Sequence, residues 1–202
     1  MERTEKLQQL RRVVAEEGQA IVSLSETTDS EQWLSVADAI ERCTGKIVLT
    51  GCGTSAMAAK KISHSLCCIE RPAQFLSPAD AVHGGLGAVQ KDDVLVLISK
   101  GGNTDELLAL IPACKDKGAL LVGVTENSAS EVAKQADITL IVRVEKEPCS
   151  LNMLATSSTL AVIAVFDAIC ILLMETMGYT RALFARIHPG GAVGERLLKG
   201  LE

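Results

Sequence analysis

Aromatic side chains are almost missing from this chain. Its 202 residues include one Trp, one Tyr and three Phe, 2% in all. The core must therefore be aliphatic, and hydrophobic residues make up 48% of the sequence. The same scarcity removes the rings on which nucleic-acid bases stack. A net charge of −5 and a pI near 5.3 supply no basic surface for a phosphate backbone, so no nucleic-acid partner is expected. Paired cysteines are missing too. The seven cysteines are an odd number and contain no CxxC pair, so they read as small hydrophobes in a reducing cytoplasm. The N-terminus, Met1 to Lys6, has no apolar segment of the signal-peptide kind. No run is long enough to span a bilayer: the most apolar stretch, Leu160 to Met174, is short and contains Asp167, and it reads as a buried helix. Linkers and low-complexity segments are absent as well. One domain over 1–202, with its core at about 30–198, fits the length.

What is present is an alternation of aliphatic runs with helical patterns. Helices are expected at 2–24, with a break at Gly18, and at 31–43. Strands follow at 46–50, 72–76, 94–98, 120–124 and 138–142. Between them lie helices at 54–67, from Ser77 to about Gly84, at 103–117 and at 128–135. A long helix to about 177 comes next, then a short helical piece, the turn His188-Pro189-Gly190-Gly191 and a terminal helix. Strand–helix alternation gives an α/β fold: a three-layer sandwich with a mostly parallel five-stranded sheet between helices.

Two of the strands end alike. Ile47 to Thr50 runs into Gly51-Cys52-Gly53-Thr54-Ser55, and Val94 to Ile98 runs into Ser99-Lys100-Gly101-Gly102-Asn103-Thr104. Glycines permit tight turns, and N–H groups at the next helix start attract an anion. Ligands of parallel sheets bind outside the carboxyl ends of strands. A phosphorylated ligand held by Gly53, Thr54, Ser55, Ser99, Lys100, Gly101, Gly102, Asn103 and Thr104 is the functional reading. Ordinary helix N-caps are the plain one.

Several blocks resemble the SIS (sugar isomerase) family, and arabinose 5-phosphate isomerases within it, over about residues 30–198. Ala79-Asp80-Ala81-Val82-His83-Gly84-Gly85-Leu86-Gly87 is similar to that group's E-A-x-H-G-D-L-G. Lys146 to Leu151 is similar to K-E-A-C-P-L, Ala155 to Thr159 to P-T-S-S-T, and His188 to Gly194 to H-P-G-G-A-L-G. The resemblance implies a flavodoxin-like topology and a cytoplasmic enzyme. Its expected reaction interconverts ribulose 5-phosphate and arabinose 5-phosphate through an enediol. It also implies a homodimer or homotetramer with shared active sites. Three features depart from the pattern. Gly53-Thr54-Ser55 stands where the group has Gly-Lys-Ser, and this stretch resembles the isomerase domain of glucosamine-6-phosphate synthase instead. Asn103 stands where the group has a glutamate. The paired CBS module that many relatives carry after the sugar domain is not expected here. A phosphosugar-binding module without turnover, or an isomerase or lyase for another phosphosugar, are the alternatives.

Glu147 is the candidate general base, since one carboxylate can carry a proton between adjacent carbons. The alternative is a solvated charge beside Glu145 and Lys146. His83 and His188, each before a Gly-rich turn, are candidates for ring opening or proton transfer between oxygens; either could instead be a plain helix-end residue. Lys100 could supply the positive charge that the first loop lacks, or be an exposed loop lysine. His83, His188, Glu147 and Cys149 are of types that suit zinc, but none has tight ligand spacing, and neither a metal nor a cofactor is expected.

Overall fold

The computed structural model describes residues 1–191 and 194. Five aliphatic segments form parallel strands: β1 (Ile47–Gly51), β2 (Ala73–Phe75), β3 (Val94–Ile98), β4 (Leu120–Thr125) and β5 (Ile138–Ile141). They lie in the order β2-β1-β3-β4-β5, and every neighbouring pair is parallel. All residues of β1 and β3 are buried, as expected of strands covered on both faces.

Strand alternation divides the core in two. Ile47, Leu49, Val94, Val96, Ile98, Val122 and Val124 face one way, toward α1 (Arg3–Thr27), α2 (Ser30–Arg42), α3 (Gly53–Cys67) and α8 (Ser157–Thr176). Val48, Leu95, Leu97 and Leu121 face the other way, toward α4 (Pro78–Ala81), α5 (Asp105–Leu108), α6 (Ile111–Lys117) and α7 (Glu131–Gln135). Each fully buried Leu, Ile or Val contributes about 1.5–3 kcal/mol, so the aliphatic layers suffice without aromatic rings. Gly123 in β4 lets α7 come close: a Cβ there would stand 2.8 Å from Val132 Cγ1 and 3.0 Å from Ala136 Cβ.

Three sequence expectations need correction. Gly18 does not break the first helix, which is continuous over 25 residues; one interior glycine costs only about 1 kcal/mol. The helix expected at 103–117 is two pieces, α5 and α6. Pro112 has no N–H to give the carbonyl one turn back, so the chain bends before it. The apolar stretch near 160–174 extends to the 20 residues of α8, with mean hydropathy 2.2, long and apolar enough to cross a bilayer. It packs on α1, α2 and α3 as a core helix does, burying Ala161, Val165, Phe166, Ile169 and Leu173. Asp167 pairs with Lys61 of α3. The outer face is less covered, leaving Leu160, Ile171 and Leu172 exposed. Beyond Gly178 comes α9 (Arg181–Ile187). The terminal helix expected after Gly191 lies outside the described residues.

Candidate functional site

In the order β2-β1-β3-β4-β5 the chain moves one way from β1 to β2 and the other way from β1 to β3. The crevice at that reversal, at the carboxyl ends of β1 and β3, is where parallel sheets take their ligands. Gly51 pairs with Ile98 across the two strands, so both glycine/hydroxyl loops leave the sheet side by side at that point.

The first loop is short. Gly53 adopts φ 56° and opens α3 directly, with Thr54 exposed and Ser55 half-buried in its first turn. The second loop is braced from within. Ser99 Oγ lies 2.8 Å from Thr104 Oγ1 and accepts the Gly102 N–H at 3.1 Å. Thr125 Oγ1 donates to the Lys100 carbonyl at 2.8 Å. Asn103 turns its side-chain oxygen to the Glu131 N–H at 2.9 Å, tying the loop to the start of α7 rather than turning it to the crevice. Among the described residues the N–H groups of Gly101, Asn103 and Thr104 make no hydrogen bond, and they remain as donors for an anion.

Glu147 follows β5 and is buried, 2% exposed. Its carboxylate rests on the N-terminus of α8. Oε2 accepts the N–H groups of Thr156 at 3.0 Å and Ser158 at 3.4 Å. Oε1 accepts the Ser158 hydroxyl and the Lys100 ammonium, the latter at 2.9 Å. The Glu147 N–H is itself held by Asn152 Oδ1 at 2.7 Å. Burial pushes this carboxyl up. The Ser158 hydroxyl, the Lys100 ammonium and the Thr156 N–H outweigh burial and hold it at about 2, against an ordinary 4.5. The plain reading of Glu147 as a solvated surface charge is therefore wrong; Lys100 is an exposed loop lysine, as its plain reading has it, and is also engaged with Glu147.

A small cleft joins these parts. Thr54, Ser55, Lys100, Thr125, Ser158 and Thr159 line it. Ser158, Thr159 and the Thr156 N–H are not among the residues expected at the site, although Ala155 to Thr159 carries part of the family resemblance. A run of Ser and Thr opening a long apolar helix is the signal that could have found them.

The histidines stand apart. His83 follows α4, which packs on the face of the sheet that carries Val48, Leu95 and Leu97, and its side chain is exposed. His188 ends α9, with its ring stacked on Phe184 at 4.0 Å and Nδ1 2.8 Å from the Phe184 carbonyl. Arg186 of the same helix pairs with Glu70, beyond the far end of α3. His188 therefore lies toward the opposite end of the sheet from the glycine loops of its own chain. Cys149 Sγ accepts the N–H groups of Met153 and Leu154, both at 3.2 Å, and so helps fold the loop ahead of α8. Among the described residues no group of His, Cys, Asp and Glu side chains could hold a metal ion.

The SIS domain model matches residues 41–172. The chain is 39% identical over 189 residues to arabinose 5-phosphate isomerase KpsF of Escherichia coli; the match covers 94% of this chain and 60% of that protein. The chain thus spans about 60% of the length of this curated relative. Among solved structures, a Listeria monocytogenes protein provisionally assigned as a sugar-phosphate isomerase is 57% identical. It superposes with TM-score 0.93, over 94% of this chain and 100% of its own. The c3406 protein of E. coli CFT073, solved in complex with arabinose 5-phosphate, is 31% identical, with TM-score 0.89 over 94% of this chain and 100% of its own.

Proposed function

Because the chain belongs to the SIS domain family, we propose that it is a sugar-phosphate aldose–ketose isomerase. Its proposed substrates are arabinose 5-phosphate, the sugar in the name of its E. coli relative, and the matching ketose, ribulose 5-phosphate. The observation that carries the reading is a cleft lined by Thr54 and Ser55 of the first loop and Lys100 of the second, with the Glu147 carboxylate buried directly behind the lining residues Lys100 and Ser158. Ser55, Ser99, Thr104 and the open N–H groups of the second loop receive the phosphate. The carbonyl end of the sugar then reaches toward Glu147. Glu147 takes the proton from the carbon beside the carbonyl, and the resulting enediolate regains it one carbon along after a proton shifts between its oxygens.

His188 acts on a neighbouring subunit's sugar, moving protons between oxygens or opening the ring. Its distance from its own chain's loops favours this arrangement. So do the exposed apolar residues Leu7, Leu10 and Val14 of α1 and Ile171 of α8, which a homodimer or homotetramer would cover. The role of His83 is the same kind of transfer at the rim of the site. Seven free thiols support a cytoplasmic location.

A second reading, phosphosugar binding without turnover, has one observation in its favour: both oxygens of Glu147 are already occupied by donors. Purified protein assayed against phosphorylated pentoses and hexoses in deuterated water decides between them. Substrate C–H exchange with arabinose 5-phosphate supports the isomerase. Exchange with another phosphosugar alone moves the assignment to that substrate. Binding with no exchange on any of them gives the binding module.

A further inference from the structure

The shell around Glu147 divides into donors that cannot move and donors that can. A carboxylate offers about four lone-pair positions, and here all four are filled. The two on Oε2 come from backbone N–H groups at the start of α8 and are fixed by that helix. The two on Oε1 come from Lys100 and Ser158, side chains that line the same cleft as Thr54 and Ser55. The Glu147 side chain is fully buried, whereas that of Lys100 is 39% exposed. Lys100 is the charged side chain that meets Glu147. From α1, Arg12 pairs with Glu16 and donates to the neighbouring Pro148 carbonyl at 3.1 Å, not to Glu147, and Glu145 and Lys146 are exposed. Lys100 also belongs by its backbone to the loop that carries Ser99 and Thr104. Its flexible four-carbon stem can swing from the carboxylate to a ligand held by that loop.

We propose that Lys100 is a phosphate-responsive positioning residue: it rests on Glu147 Oε1 and moves to the phosphate of a bound sugar, freeing that oxygen to take the carbon-bound proton. The proposal rests on the isomerase reading and goes beyond it. A phosphate dianion carries more charge than a single carboxylate and so competes for the ammonium. Oε1 is then left with the Ser158 hydroxyl alone, which can rotate away. The proton leaves the substrate carbon for Oε1, giving a neutral carboxylic acid and an enediolate; a proton passes from one sugar oxygen to the other, and the acid returns the first proton to the adjacent carbon, restoring the carboxylate. The ammonium keeps its own protons throughout. A sugar without phosphate leaves Lys100 on the carboxylate. The phosphate therefore selects substrate through turnover as well as through affinity.

The test uses a substrate in two pieces. Exchange of the arabinose C2 proton with deuterated water is followed at neutral pH, with and without phosphite dianion. Parent protein should show about tenfold or greater acceleration by phosphite, and Lys100→Met less than about twofold. A second readout needs no turnover: the carboxyl carbon resonance of Glu147, assigned with Glu147→Gln, followed as inorganic phosphate is added at neutral pH. It should move in the parent, move in Lys100→Arg, and stay still in Lys100→Met. If Lys100→Met keeps the phosphite acceleration, or its Glu147 resonance moves as the parent's does, the proposal is overturned. If arabinose 5-phosphate is turned over but neither phosphite nor phosphate has an effect on the parent, the latch fails and the isomerase stands. If the resonance responds through Lys100 and no phosphosugar is turned over, the isomerase reading fails and takes the catalytic role of Lys100 with it, leaving only its movement to phosphate.

Discussion

The two glycine loops look alike in sequence and are built differently. Gly53 leads at once into a helix of 15 residues, and a Cβ at this glycine would meet nothing within 4 Å. The Ser99–Thr104 loop leads into a helix of four residues and is braced by Thr125, Ser130 and the start of α7. The first loop offers the field of a long helix and loosely held hydroxyls. The second offers a rigid frame with a fixed set of donors and one swinging charge. An anion held between them is pulled by a dipole on one side and shaped by a template on the other.

The largest effect expected from this arrangement is on turnover. Glu147→Gln should keep the fold and phosphate binding and lower turnover by about a hundredfold or more, because general-base catalysis is typically worth that much. Substrate C–H exchange is the readout, and exchange as fast as the parent's would move the base elsewhere.

The loops themselves separate under substitution by alanine. Gly102 has φ 70°, and a Cβ there would lie 2.1 Å from Ser130 Oγ and 2.8 Å from Thr125 Oγ1. Gly102→Ala should cost about 2–4 kcal/mol of stability through strain and collision together. Gly53 has φ 56° in open space, so Gly53→Ala should cost only about 1–2 kcal/mol, the left-handed penalty by itself. Urea unfolding of the two variants checks the difference; equal losses would mean that the second loop is no more braced than the first.

Binding should follow the same division. Thr104→Val removes a hydroxyl from the template and should weaken sugar-phosphate binding by about 1–3 kcal/mol. Ser55→Ala removes one loosely held hydroxyl and should cost about 0.5–1.5 kcal/mol. Calorimetric titration ranks them, and the reverse order would make the first loop the principal phosphate site.

The gentlest perturbation needs no substitution at all. The Glu147 carboxyl sits at about 2 in the folded protein, below its ordinary 4.5. Its contribution to stability is therefore complete above about pH 4.5 and is lost as pH falls toward 2. The Asp93 carboxyl is also lowered: hydrogen bonds from Lys46 and Gln90 outweigh the upward push of burial, so it adds to the same acid loss. Unfolding free energy measured down that range should fall less steeply for Glu147→Gln than for the parent.

Much of the fold is legible in the sequence because its signals are local. The run at 94–98 forms β3 without a shift of one residue, since a short aliphatic run with three β-branched members, ending at Ser99, suits a strand covered on both faces. Gly118 ends α6 in a left-handed turn, as its place after a helical pattern suggests. Pro112 and Gly18 are equally visible, and they act with opposite strength. The proline removes a hydrogen bond outright and divides its helix, whereas a helix of 25 residues absorbs one weak residue.

The site is legible only in part. Composition and spacing by themselves determined the alternating α/β class, the aliphatic core and the two strand–glycine–hydroxyl loops, because each depends on residues close together in the chain. Only the tertiary structure decided what those loops face. Lys100 and Glu147 are 47 residues apart, and their ion pair exists because β3 and the end of β5 open toward one crevice. The Asn103 side chain went to α7 and Ser158 came into the cleft for the same reason. A polar side chain finds its partner by the packing of distant elements, and no local pattern records that distance.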